Sequence, residues 1–149
     1  MLIRKCEGKD IDQILKIERK SFEYPYSQEI FKDYISNDFF LLAEEDSKVI
    51  GYILAEKREV DGVIVSIAVS PDYRLQGIGT SLMEKVLKEM NVRRFFLIVR
   101  ESNQGAQIFY DNLGFSKITK LEDYYQNDED GILMQKSIKK GKLIKRDVE

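Results

Sequence analysis

The segment Ser66–Leu87, SIAVSPDYRLQGIGTSLMEKVL, constrains the fold more than any other part of the chain. It begins with small and β-branched residues typical of a strand, then meets Pro71 and the pattern Arg-x-x-Gly-x-Gly from Arg74 to Gly79. From Gly77 to Met90 the apolar residues Ile78, Leu82, Met83, Val86, Leu87 and Met90 recur at helical spacing, and Phe95–Val99 returns as a buried strand. A strand, a helix and a second strand joined in this way predict a parallel pair.

The remaining pattern is mostly antiparallel. Phe39–Glu44, Val49–Glu56 and Val63–Val69 read as three strands linked by turn-prone residues, which predicts a meander. Leu2–Arg4 forms a short first strand. Asp10 with Gln13 resembles a capping box that opens a helix over about 10–20, and Ser27 caps a second helix bearing Ile30, Phe31, Tyr34 and Ile35. Between the two helices lies the aromatic stretch Phe22, Tyr24, Pro25, Tyr26. Farther on, Ala106, Phe109, Tyr110 and Leu113 make a stripe closed by Gly114, and Phe115–Leu121 and Ile132–Ile138 are strands around an acidic loop. The expectation is one α/β domain over residues 1–138, with a basic tail over 139–149.

Glycines at the start of a helix let backbone approach a ligand, and the amides of the first helical turn carry partial positive charge that suits a pyrophosphate. The same spacing also serves an ordinary turn. It is no Walker loop, because no Gly-Lys-Ser/Thr follows, and no dinucleotide fingerprint, because Arg74 stands where the first glycine belongs. The chain has no histidine, which removes Ser-His-Asp and Cys-His triads, HExxH zinc sites and histidine bases together. Any chemistry falls to carboxylates, tyrosines, backbone amides or water. A formal net charge of -2 gives no reason to expect a nucleic-acid surface, and the basic tail is expected to be solvated. Cys6 is the only cysteine and no signal-peptide or membrane-spanning stretch is evident, so a cytoplasmic protein is expected.

VSPDYRLQGIGTSL resembles the acetyl-CoA motif of the GNAT superfamily of N-acetyltransferases, and LIVRESNQGAQIFYDNLGF resembles its second motif. The resemblance implies the GNAT fold, a mixed and mostly antiparallel sheet of about seven strands with helices on both faces and acetyl-CoA inserted at the parallel pair. It further implies that the backbone of Ile67, Ala68 and Val69 pairs with the pantetheine arm. Amides from Arg74 or Leu75 through Gln76, Gly77, Ile78, Gly79 and Thr80 would hold the pyrophosphate. Asn103 would contact the pantetheine, and Tyr110 would stand beside the thioester sulfur as hydrogen-bond or proton donor. No metal is implied.

Within the superfamily the chain is most similar to the N-terminal acetyltransferases, the group of the ribosomal-protein alanine acetyltransferases and their archaeal and eukaryotic relatives. By this resemblance Tyr24 and Tyr26 would grip the first residues of a peptide, with Tyr124 and Tyr125 as the paired tyrosines opposite. Asp128-Glu129-Asp130 matches the family's acidic ending. One position departs from the pattern: where bacterial members carry a glutamate base two residues before the arginine of LxVR, this chain has Ile98. Glu23 is the nearest substitute that the resemblance offers. The activity implied is direct acetylation of a protein or peptide α-amine. The alternatives are acetylation of a small amine such as a polyamine or aminoglycoside, or a CoA-binding module without catalysis. Monomer or dimer, and docking of the tail on a ribosome, stay open.

Overall fold

A computed structural model describes residues 1–138, so the tail over 139–149 lies outside the described residues. The strands are β1 (Leu2–Lys5), β2 (Phe40–Glu45), β3 (Lys48–Arg58), β4 (Asp61–Val69), β5 (Arg94–Arg100), β6 (Ser116–Leu121) and β7 (Gly131–Ser137). The helices are α1 (Ile11–Ser21), α2 (Gln28–Asp33), α3 (Ile78–Glu89) and α4 (Gln104–Asn112). The strands make a seven-stranded sheet in the order β1-β2-β3-β4-β5-β7-β6. β4 and β5 are parallel over Asp61–Val63 and Arg94–Phe96, as the strand–helix–strand pattern predicts. The pairs β1–β2, β2–β3, β5–β7 and β6–β7 are antiparallel.

The chain divides into two compact units. The first comprises Met1–Glu56 and Ile64–Met90. In it α1 and α2 cover one face of β3: Ile11, Ile14, Leu15, Phe31, Phe40, Tyr52 and Leu54 form one buried cluster. On the opposite face, Gly51 lets α3 come close, since a side chain there would meet Ile78 Cγ2 at 3.3 Å and Val69 Cγ2 at 3.4 Å. The alternation along β3 slips once, because Ala43 pairs with Gly51 while Glu44 pairs with Val49, leaving Ile50 as an extra residue. That bulge explains how Val49 and Tyr52, three apart, both join the cluster.

The expected capping box at Asp10 and Gln13 does not form. Asp10 caps α1 without a side-chain bond. Its carboxylate instead accepts both Arg4 guanidinium nitrogens at 2.9 Å and the Glu7 amide at 2.8 Å. Gln13 accepts from the Val49 amide at 3.1 Å. Asp10 is claimed by Arg4 and Glu7 just before it, and Gln13 by a strand distant in sequence, which the spacing of the two does not reveal. Ser27 does cap α2, accepting from the Ile30 amide at 3.4 Å, but that helix stops at Asp33, so Tyr34 and Ile35 follow it.

The second unit comprises Lys57–Val63 and the chain from Asn91 onward. Here β7 pairs along the whole of β5, from Arg94↔Ser137 to Arg100↔Gly131, with β6 on its other side. Phe95, Leu97, Val99, Ile132 and Met134 are buried, whereas β6 is nearly all exposed. No helix among the described residues is long and apolar enough to cross a membrane.

Candidate active site

The turn from β4 into α3 departs from ordinary backbone at two points. Leu75 has φ 65° and is fully exposed, and Gly77 has φ 79°. A left-handed residue next to right-handed ones, as Gly77 is at the start of α3, turns successive amides toward one concavity, an arrangement that binds anions. A leucine held there is strained, and such strain collects at functional loops. A side chain at Gly77 would meet nothing within 4 Å, so the space beside the turn is open. The first bond of α3 runs from the Ser81 amide to the Gly77 carbonyl at 3.0 Å, and helix geometry gives the amides of Ile78, Gly79 and Thr80 no intrahelical acceptor. The backbone here therefore fits a pyrophosphate. The Arg74 side chain turns back, donating from Nε to the Val69 carbonyl at 3.0 Å and from Nη2 to Ser21 Oγ at 3.2 Å. Its guanidinium braces the turn.

The loop between α1 and α2 carries Glu23, Tyr24 and Tyr26, all exposed. Among the described residues, no hydrogen bond or ion pair holds Glu23. Tyr26 is held twice: its amide donates to Glu18 Oε2 at 2.9 Å, and its ring meets Phe31 edge-on at 6.1 Å. Glu18 is 2% exposed. Its other oxygen accepts from the Tyr52 hydroxyl and, at 3.4 Å, from Ser66 Oγ, which lies 2.7 Å from the Tyr52 oxygen. Burial pushes the Glu18 carboxyl above its ordinary range, and the bonds from Tyr26, Tyr52 and Ser66 oppose that shift. Burial also raises the Tyr52 hydroxyl, with Glu18 adding to it. This cluster was absent from the residues expected from sequence. The sign was available, since Glu18 continues the buried stripe of Ile11, Ile14 and Leu15 on α1.

In the second unit, Tyr110 lies on α4 with its ring against Phe109 at 5.3 Å and Phe115 at 6.0 Å. Burial holds its hydroxyl well above the ordinary tyrosine range, with Tyr125 adding to the effect, so it stays protonated and able to donate at neutral pH. Asn103 is the N-cap of α4, its side-chain oxygen accepting from the Ala106 amide at 3.1 Å. Ile98 is half-buried on β5. A side chain at Gly131 would stand 2.9 Å from Ile98 Cγ2 and 3.3 Å from the Tyr124 side chain, so this glycine lets both converge over β7. The position expected to hold a base is thus an apolar surface beside Tyr124.

Tyr125 packs on Tyr124 with ring centres 4.9 Å apart and edge to face, and Arg100 lies over the Tyr125 ring at 3.9 Å. The Arg100 guanidinium also donates to Glu129 at 3.0 Å and Asn127 at 3.0 Å. Glu129 accepts in addition from the Ser102 amide at 2.8 Å. The Ser102 bonds, then Arg100, pull the Glu129 carboxyl down to about 2. Of the three acidic residues at 128–130, this is the one whose side chain ties the β6–β7 loop to Arg100 of β5. Cys6 is 2% exposed, and burial pushes its thiol up to about 12, which leaves it unreactive.

The family model described as acetyltransferase (GNAT) family matches residues 11–115. An uncharacterized N-acetyltransferase of Methanocaldococcus jannaschii is 38% identical over 152 residues, covering 97% of each chain. An N-alpha-acetyltransferase of Sulfurisphaera tokodaii is 36% identical, covering 89% of this chain and 90% of that one. The crystal structure of the ribosomal-protein-S18-alanine N-acetyltransferase from Escherichia coli superposes with a TM-score of 0.83 at 28% identity, over 92% of this chain and 93% of that one.

Proposed function

The chain belongs to the acetyltransferase (GNAT) family, and we propose that this acetyl-CoA-dependent N-acetyltransferase acts on the N-terminal α-amine of a protein or peptide. The observation that carries the assignment is Ile98, apolar and packed beside Tyr124 where a glutamate base would stand. An α-amine with a pKa of about 7.7–8.0 is roughly one-tenth neutral at pH 7, whereas a lysine at about 10.4 is neutral about once in 2,500. A site without a strong base therefore favours chain N-termini over lysines by about two orders of magnitude before any contact forms. The exposed tyrosines Tyr24, Tyr26 and Tyr124, with the half-buried Tyr125, supply amphipathic surface for peptide backbone.

In this assignment the amides of Leu75 to Thr80 hold the pyrophosphate and the backbone of Ile67, Ala68 and Val69 pairs with the pantetheine arm. Asn103 offers the amide end of its side chain, its oxygen being committed to the α4 cap. Acetyl-CoA supplies the thioester that the neutral amine attacks directly. Tyr110 donates a hydrogen bond or proton to the departing sulfur, and its raised hydroxyl, which stays protonated, favours the hydrogen bond. Glu23 or water takes the proton from the amine. A cytoplasmic setting suits a chain whose single thiol is free and buried.

The test uses a peptide with one free N-terminus and one internal lysine, mapped by mass spectrometry after brief reaction. Acetate is expected on the terminus, at a rate that rises with pH and levels near the α-amine pKa. Acetate mainly on lysine, or spermidine outcompeting the peptide, would overturn the assignment.

A further inference from the structure

Glu18 is a buried carboxylate that the acetyl-transfer chemistry above does not use. No lysine or arginine pairs with it among the described residues, although a buried carboxylate is costly unless its oxygens are satisfied. A leucine would fill the same place on the apolar face of α1 without that cost. What the carboxylate does and a leucine cannot do is collect three donors from three distant segments: the Tyr26 amide in the loop, the Tyr52 hydroxyl on β3 and the Ser66 hydroxyl on β4.

These contacts close on themselves. Glu18 accepts from Tyr26, whose ring meets Phe31 edge-on at 76°. Phe31 meets Tyr52 edge-on at 5.7 Å and 82°, and Tyr52 donates back to Glu18. The circuit joins α1, the loop, α2 and β3, and Ser66 adds β4 one residue before Ile67. The loop itself is exposed, with Tyr24 at 45% and Tyr26 at 38%. Its Tyr26 is placed from beneath, by Glu18 on the backbone and Phe31 on the ring.

We propose that Glu18 is a positioning residue: by holding the Tyr26 amide against β3 and β4 it fixes the tyrosine loop and so sets the affinity for the peptide beyond its reacting amine. The proposal rests on the peptide N-terminus being the substrate. It assigns Glu18 no part in proton transfer.

The two oxygens have different donors, and this makes the conservative variant informative. A glutamine can keep its oxygen on the Tyr26 amide and turn its NH2 toward Tyr52 and Ser66, whose hydroxyls can rotate to accept. Glu18→Gln therefore keeps the loop in place, and Glu18→Ala releases it. The assay compares a hexapeptide with a single amino-acid amide, which offers the same α-amine without further backbone to grip. For Glu18→Ala, the KM of the hexapeptide is expected to rise at least tenfold, with kcat within about threefold, a kcat/KM for the amide also within about threefold, since water takes the amine proton if Glu23 moves with the loop, and an unchanged CoA Kd. Glu18→Gln should restore the hexapeptide KM to within about threefold with the wild-type pH–rate profile.

If Glu18→Ala does not fold, Tyr52→Phe takes its place, since it removes one anchor of the carboxylate and leaves the ring packing. Its hexapeptide KM should rise about threefold, with the amide again unaffected. An unchanged hexapeptide KM in a folded Glu18→Ala or Tyr52→Phe protein overturns the proposal. So does an equal loss on both substrates, or a Glu18→Gln protein with collapsed kcat and an altered pH profile, which would make Glu18 a proton acceptor. Wild-type enzyme that acetylates neither α-amine, yet acetylates lysine or spermidine, speaks against the substrate assignment and is told apart by being a wild-type result.

Discussion

Replacing Gly77 separates the conformational role of the β4–α3 turn from its role as an anion cradle. At φ 79° any other residue is strained, by about 1–2 kcal/mol, but a side chain there meets no protein atom within 4 Å. The penalty to folding is then conformational alone, which for a domain of this size lowers Tm by about 2–8 °C in the absence of ligand. The open space beside the turn is where the pyrophosphate is assigned. Valine would fill it and break approximately two charge-assisted hydrogen bonds, each worth about 1.5–3 kcal/mol, so the CoA Kd should rise about a hundredfold or more. Alanine carries the backbone strain with far less bulk, and its Kd should rise by no more than about tenfold. Calorimetric titration of CoA, with thermal unfolding of each variant with and without CoA, measures both quantities. A folded Gly77→Val protein with unchanged CoA affinity would refute the cradle. Equal weakening by alanine and valine would make the effect one of backbone geometry only.

Tyr110→Phe keeps the ring contacts with Phe109 and Phe115, so kcat should fall about tenfold to a thousandfold with little change in KM or Tm; equal turnover would assign Tyr110 to packing. Because burial raises this hydroxyl, wild-type turnover should not decline through the ordinary tyrosine range near pH 10, which a pH–rate series would check against enzyme kept folded. Glu129 has a folded pKa of about 2, below its unfolded value, so its hold on the β6–β7 loop is complete above about pH 4.5 and is lost as pH falls toward 2. Amide exchange protection at Ser102 should fall across that window, and Glu129→Ala, which has no acceptor for this amide, should show the loss already at neutral pH; identical protection in both would remove Glu129 from the brace. Cys6 should resist thiol reagents at pH 8 until the protein is unfolded, and rapid labelling of native protein would contradict its burial.

The strand–turn–helix–strand core was legible because its periodicity is local and strong. The stripe from Ile78 to Met90 became α3, and the parallel partner followed from the length of the crossover. Local rules failed where another partner competed for a side chain. Asp10 and Gln13 have the spacing of a capping box, but Arg4 and the Val49 amide offer stronger or better-placed partners. The Ile50 bulge was equally hidden, since the run from Val49 to Ala55 is apolar throughout and betrays no register. At the site, Gly77 and Tyr110 could be named from motifs. Glu18 belongs to no motif and its polarity by itself suggests exposure, although its place on the helix faces inward. Asn103 was matched to the pantetheine by resemblance, and its hold on the α4 cap depends on a backbone dihedral that no motif records.

The convergence of Ile98 and Tyr124 over Gly131 restricts the order in which this site can change. Any side chain at 131 collides with Ile98 Cγ2, an atom on a branched stub that cannot swing aside, so Gly131→Ala is blocked while isoleucine stays at 98. A glutamate at 98 has no branch at Cβ. Introducing it would at once place a carboxylate beside Tyr124 and ease the tightest contact at 131, leaving that of Tyr124 at 3.3 Å, so the two positions are coupled and their effects should not add. A side chain at 131 is thus opposed from two sides while isoleucine stays at 98, and from the Tyr124 side alone once it is replaced. Once 131 has gained a side chain, a return to isoleucine at 98 carries a steric cost that it does not carry now.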